Sequence, residues 1–232
     1  MTALIFDCDG VLVDSEALAE ETLVEHLSHW LPDINIGESL GQALGMTTAN
    51  ILRHVEQLST YPLPSDAAER VDTAIEARLA LELTTIDGAE AAVRSIALPK
   101  AVVSNSRRCR VLASLSSTGL DAAFGDTPIF TAEQVAQPKP DPALYQLAAA
   151  TLGEAPGDCL VVEDSVAGVT AATAAGMWVI GFTGASHVDD GQAERLRQAG
   201  AWRILSHMQG LSELVDEWQG DISMGGKNEA NQ

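Results

Sequence analysis

Four apolar residues, Ala3-Leu4-Ile5-Phe6, run straight into Asp7-Cys8-Asp9-Gly10 near the start of the 232-residue chain. A short apolar run closed by a turn signal reads as a buried strand. Asp7 then stands where that strand ends, and in an open parallel sheet ligands bind at the carboxyl ends of the strands. Comparable runs recur at 101–103, 129–130, 160–162, 178–182 and 203–205. Alanine-rich segments of helical character, 108–116, 143–152 and 166–175, lie between the later ones. Strands alternating with helices predict βαβ units, hence an α/β fold with a parallel sheet and right-handed crossovers.

One interval breaks this rhythm. Residues 15–85 contain no convincing strand, only helical patterns over 16–30, 39–57 and 65–83. Ser65-Asp66-Ala67-Ala68-Glu69 has the capping residues and early acids of a helix start. An all-helical block inserted after the first strand reads as a separate cap domain, with the chain returning at the turn signal Ile86-Asp87-Gly88. The expected core is therefore residues 1–14 with 86–220. The tail, 221–232, lacks apolar periodicity and is expected to be disordered.

Composition excludes several classes. The formal net charge is -20, with three lysines (Lys100, Lys139, Lys227). Such a chain repels nucleic acid and anionic membrane surfaces, so neither is an expected partner. An anionic small substrate must be held by local devices such as a metal, a lysine or backbone N–H groups. No stretch approaches the ~20 apolar residues of a membrane span, and no secretory signal precedes the first strand. Cys8, Cys109 and Cys159 are odd in number and scattered, which fits a reducing, cytoplasmic setting better than disulfides or a cysteine zinc site. A monomer or small homo-oligomer is expected.

Four constellations carry chemistry. In Asp7-x-Asp9 the two side chains point the same way on an extended chain, with Cα atoms roughly 6.5–7 Å apart, so one carboxylate can attack while the other handles a proton. Val102-Val103-Ser104-Asn105-Ser106 ends a strand with a hydroxyl and following amides, a neutral device for an anion. In Gln137-Pro138-Lys139-Pro140-Asp141-Pro142, prolines restrict a lysine on both sides and aim its charge. Leu160-Val161-Val162-Glu163-Asp164-Ser165 ends another strand in acids, hard oxygen ligands suited to Mg²⁺. Each alone also has a plain structural reading: an acidic turn, a helix cap, a surface lysine. Asp7, Ser104, Lys139 and Asp164 in this order, each following a strand-like run, place all four on one edge of one sheet.

With these motifs the chain resembles the haloacid dehalogenase (HAD) superfamily, in the branch of sugar phosphatases and beta-phosphoglucomutase. The resemblance covers nearly the whole chain, the helical insert included. It implies a Rossmann-like, three-layer parallel-sheet core with an α-helical cap closing over the site. It implies a Mg²⁺-dependent phosphatase acting on a small phosphorylated sugar, polyol or sugar acid. In that reading Asp7 is the nucleophile that forms an aspartyl-phosphate. Asp9 protonates the leaving oxygen and then activates water. Asp7, the main-chain carbonyl of Asp9, and Asp164 hold the metal, with Glu163 as a ligand or just behind it. Ser104, Asn105 and Lys139 hold phosphoryl oxygens. Dehalogenases of the superfamily lack the second aspartate, so Asp9 argues against them. The phosphonoacetaldehyde hydrolases need a cap lysine, and none precedes Lys100. The mutases carry a cap histidine where this chain has Ala19, and an arginine where it reads Gly45-Met46-Thr47-Thr48. Both departures favour hydrolysis over the alternative, a phosphotransferring mutase. A catalytically idle binding module is the alternative from another class. Substrate choice is expected in the cap, with Glu16, Glu20, Thr47, Thr48, Asn50 and Arg53 as candidates.

Overall fold

The computed structural model describes residues 2–41 and 48–223. The chain divides into two compact units. One comprises the residues up to Asp14 and from Thr84 onward, the other Ser15–Leu83.

In the first unit six parallel strands form one sheet: β1 (Ala3–Phe6), β2 (Lys100–Ser104), β3 (Ile129–Thr131), β4 (Cys159–Glu163), β5 (Trp178–Phe182) and β6 (Arg203–Leu205). Their order is β3-β2-β1-β4-β5-β6. This is the doubly wound order, whose direction reverses between β1 and β4. Every residue of β1, β4 and β5 is buried, as continuous apolar strands require when both faces are covered. On one face Ala3, Ile5, Val103, Val161 and Val179 share a core with Leu144, Tyr145 and Ala148, and with Val169, Ala172 and Leu196. Alternation sends Phe6 to the other face, where it meets Phe124 edge-on at 5.9 Å between ring centroids.

The register β1–β4 pairs Phe6 with Val162, and Asp7 N–H extends the ladder by donating to Val162 O at 3.0 Å. Strands β1 and β4 therefore end level, and their acids emerge side by side. After β1 the chain turns tightly. Gly10 N–H donates to Val13 O (2.8 Å), and Leu12 and Val13 N–H groups both donate to Cys8 O. Asp14 N–H donates to Thr84 O (3.0 Å), and Val13 bridges Thr85. Thr84 and Thr85 thus join the sheet unit, two residues earlier than the expected return, because their backbone groups pair with the first motif.

The Ser15–Leu83 unit holds α1 (Glu16–Trp30), α2 (Ile36–Gly41), α3 (Thr48–Leu58) and α4 (Ala67–Glu82). Leu23, Leu27 and Leu31, and Val71, Ile75 and Leu79, recur at helical spacing and meet Ile36, Leu40, Leu52 and Val55 in a core of their own. Asp33 ties the link before α4, accepting from Ser59 Oγ (2.5 Å) and from Thr60 N (2.7 Å).

The remaining helices of the sheet unit are α5 (Ala89–Ser95), α6 (Arg108–Ser117), α7 (Asp121–Phe124), α8 (Ala143–Leu152), α9 (Val166–Ala174), α10 (Gln192–Ala199) and α11 (Leu211–Ser223). Helix α11 corrects the reading of the tail. Leu211, Val215 and Trp218 are buried at one-face spacing, and Ser223 Oγ closes the last turn by donating to Gln219 O (2.7 Å). Residues 221–223 are therefore helical, and 224–232, also expected to be disordered, lie outside the described residues. Among the described residues no helix is long and apolar enough to cross a membrane.

Candidate active site

Strand ends bring Asp7, Ser104, Glu163 and Asp164 to one edge of the sheet, and the loop between β3 and α8 adds Lys139. All five are buried, Lys139 with only 7% of its surface exposed. Lys139 Nζ donates to Asp7 Oδ1 (2.6 Å), Glu163 Oε1 (2.5 Å) and Val103 O (2.9 Å), which uses its three protons. Burial alone pushes the lysine pKa down, but the carboxylates of Asp7 and Glu163 outweigh it and hold Lys139 well above its ordinary value as the ammonium. For Asp7, burial comes first and raises the carboxyl; Lys139 opposes this, while Glu163 and Asp9 add to it.

Glu163 is fully enclosed, and each of its oxygens is engaged. Oε1 accepts from Lys139 and from Tyr145 Oη (2.8 Å); Oε2 accepts from Ser165 N (3.2 Å) and Ser165 Oγ (3.0 Å). Ser165 is also the N-cap of α9, its hydroxyl accepting from Gly168 N (3.0 Å). The helix start and the acid are one construction. A Cβ on Gly168 would lie 1.8 Å from Glu163 Oε1, so only glycine admits the carboxylate here.

Oxygens of Asp7, Glu163 and Asp164 lie within 4.8 Å of one another. Three buried carboxyl groups sharing one ammonium are a costly arrangement unless a cation joins them. An all-oxygen donor set of this size fits Mg²⁺ or a similar hard divalent ion. Gly10, at φ +76°, makes room for the Asp164 carboxylate: a Cβ there would sit 1.9 Å from Asp164 Oδ2. Asp164 is steadied from the loop after β5 and from the start of α10. His187 Nε2 lies 3.4 Å from its Oδ2, and Gln192 Nε2 donates to its main-chain oxygen at 2.5 Å.

Asp9 faces β2. Its Oδ2 accepts from Ser106 Oγ (2.7 Å) and Ser104 Oγ (3.2 Å), and Ser106 N donates to Ser104 Oγ (2.9 Å). Arg110 Nη2 stands 3.7 Å from Asp9 Oδ1. The side chain of Asn105 engages the lysine loop. Its side-chain Oδ1 accepts from Lys139 N and its Nδ2 donates to Lys139 O, both at 3.0 Å, so the amide clamps the lysine loop. The Lys139–Pro140 peptide in that loop is cis.

Of the candidates in the helical unit, Glu16 opens α1, and Arg53 on α3 donates to Asn50 Oδ1 at 3.0 Å. Thr47 lies outside the described residues. Tyr145, Gly168, His187 and Gln192 are site residues the sequence reading did not single out for the site. The strand-end rule applied to β5 leads to Thr183–His187 and contains the signal for His187. Nothing local in the sequence marks Tyr145, which reaches Glu163 from a helix 18 positions away.

The chain is similar to known proteins along most of its length. The chain is 33% identical over 186 residues to 6-phosphogluconate phosphatase of Escherichia coli K12, covering 80% of this chain and 84% of that one. It is 33% identical over 181 residues to hexitol phosphatase A of the same organism, covering 76% and 80%. A haloacid dehalogenase-like protein of Agrobacterium tumefaciens C58 superposes with a TM-score of 0.86 at 37% identity, over 94% of this chain and 99% of that one. The sequence profile of the haloacid dehalogenase-like hydrolases matches residues 1–176, and the chain, an enzyme built on a doubly wound sheet with acids at its central strand ends, belongs to that hydrolase family.

Proposed function

We propose that the protein is a Mg²⁺-dependent phosphatase that hydrolyses a small phosphorylated sugar, polyol or sugar acid through an aspartyl-phosphate on Asp7. The observation that carries this reading is the convergence of the buried Asp7, Glu163 and Asp164 carboxyl groups, with oxygens within 4.8 Å of one another beside Lys139. Relatives named as phosphatases of a sugar acid and of hexitols support the substrate class.

Asp7 attacks phosphorus, the bond to the leaving oxygen breaks, and Asp9 gives that oxygen a proton. Asp9 then takes a proton from the water that attacks the phosphorus of the acyl phosphate, restoring Asp7. Asp7, Asp164 and the main-chain carbonyl of Asp9 would hold the metal. Bound there, Mg²⁺ would supply positive charge that favours ionised Asp7 and offsets charge on the phosphoryl oxygens. Glu163, its oxygens already engaged by protein donors, anchors Lys139 and completes the acidic set from behind. Lys139 faces charge on the phosphoryl group. Ser104, whose hydroxyl donates to Asp9 here, is assigned to a phosphoryl oxygen once substrate binds; Ser106 keeps Asp9 in place. Asn105 is assigned to a phosphoryl oxygen through its backbone N–H, while its side chain clamps the Lys139 loop. Glu16, Thr47 and Arg53 of the helical unit are assigned to substrate choice.

The test is phosphate release from a panel of sugar, polyol and sugar-acid phosphates. Release with Mg²⁺, loss in excess EDTA and recovery on adding Mg²⁺ are expected. Undiminished release in EDTA would remove the metal from the account; release from no member of the panel would favour the idle-module reading.

A further inference from the structure

Arg110 is left over by the account above. It lies in the first turn of α6, with 24% of its side chain exposed. Its Nε is buried and makes no hydrogen bond. Its Nη2 approaches Asp9 Oδ1 to 3.7 Å, beyond hydrogen-bond reach, while two hydroxyls serve Asp9 Oδ2. This is not the two-pronged geometry of an arginine–carboxylate pair. The neighbouring Arg108 differs, its backbone N–H donating to Glu133 and its guanidinium to Ile129 O. A buried guanidinium N–H without a partner is costly and calls for an explanation.

We propose that Arg110 recognises a second anionic group, a carboxylate or a further phosphate, on the leaving-group part of the substrate. This rests on the phosphatase reading. Three observations converge on it. The unpartnered donor belongs to a planar fork suited to an oxyanion. The fork stands beside Asp9, the acid that meets the leaving oxygen, whereas Lys139 serves Asp7, where the transferred phosphoryl sits. In a chain of net charge -20, a doubly anionic substrate is repelled at long range and must be won over by a local cation.

The experiment compares wild type, Arg110→Ala and Arg110→Lys on three probes: a hexitol phosphate, the aldonic-acid phosphate of the same chain length, and a hexose bisphosphate. Circular dichroism and melting establish that the variants fold. The readout is the ratio of kcat/KM for an anionic probe to that for the hexitol phosphate, because any effect of Arg110 on Asp9 cancels in the ratio. Arg110→Ala should lower that ratio by about 10- to 100-fold, the loss expected for a charged hydrogen-bonded contact, with Arg110→Lys falling between. The probe with the larger loss identifies the anion. An unchanged ratio for both anionic probes overturns the proposal. If wild type turns over none of the probes, the phosphatase reading fails, and calorimetric binding of the same compounds decides separately. Weaker binding of an anionic probe by Arg110→Ala than by wild type sustains the role of Arg110; equal or absent binding overturns it.

Discussion

Gly168→Ala sets two effects of opposite sign against each other. Gly168 is the third residue of α9, where alanine is the better helix former by about 1 kcal/mol. Helix propensity alone therefore predicts a more stable protein. The added methyl carbon, however, would lie 1.8, 1.9 and 2.3 Å from three atoms of the Glu163 carboxylate. Relieving this to an ordinary 3.4 Å contact moves the carboxylate about 1.6 Å. Its bonds to Lys139 (2.5 Å) and Tyr145 (2.8 Å) do not survive such a shift. Breaking a buried ion pair by displacing one partner costs about 3–5 kcal/mol, which outweighs the helical gain and leaves a net loss of about 2–4 kcal/mol. At ~2–4 °C per kcal/mol for a domain of this size, Tm should fall by roughly 5–15 °C. With its anchor displaced, Lys139 no longer meets the phosphoryl group squarely, and kcat/KM should drop by about 100-fold. Differential scanning calorimetry and phosphate release read the two effects. A variant that melts at or above the wild-type temperature and retains its activity would refute the role given to Glu163.

Asn105→Ala removes both hydrogen bonds to the Lys139 backbone; steady-state kinetics should show kcat/KM lowered by about 10-fold, a loss near 1.4 kcal/mol. Thiol titration with an aromatic disulfide should find Cys109 reacting quickly in the native protein and Cys8 and Cys159 only after denaturation. Cys109 is exposed, while burial pushes the Cys8 thiol up and raises Cys159 to about 12. Hydrogen bonds from the Ser59 hydroxyl and then the Thr60 N–H hold the Asp33 carboxyl at about 2, below its unfolded value. Its contribution is thus fully present above an unfolded pKa of ~3.9 and is lost as pH falls through about 2. The difference in Tm between wild type and Asp33→Asn should therefore be constant near neutrality and narrow across that acidic window.

The parts of the site legible in the sequence were those with a local signal. Asp7, Ser104 and Glu163-Asp164 each end or directly follow an apolar run, and a doubly wound sheet gathers such ends on one edge. Lys139 stood out by its prolines. What stayed hidden depends on contacts between distant segments. The side-chain clamp of Asn105 was hidden because its partner, the Lys139 backbone, lies 34 residues away. Gly168 is one glycine among 19 until the Glu163 carboxylate is placed against it.

The central claim is that Asp7 carries the phosphoryl group. The most direct measurement is rapid acid quench during turnover, followed by mass spectrometry of the peptide containing Asp7. The account predicts one phosphoryl group on Asp7 in the presence of Mg²⁺, absent in excess EDTA and absent in Asp7→Asn. Phosphate release at full rate by Asp7→Asn, or a phosphoryl group trapped on another residue, would contradict it.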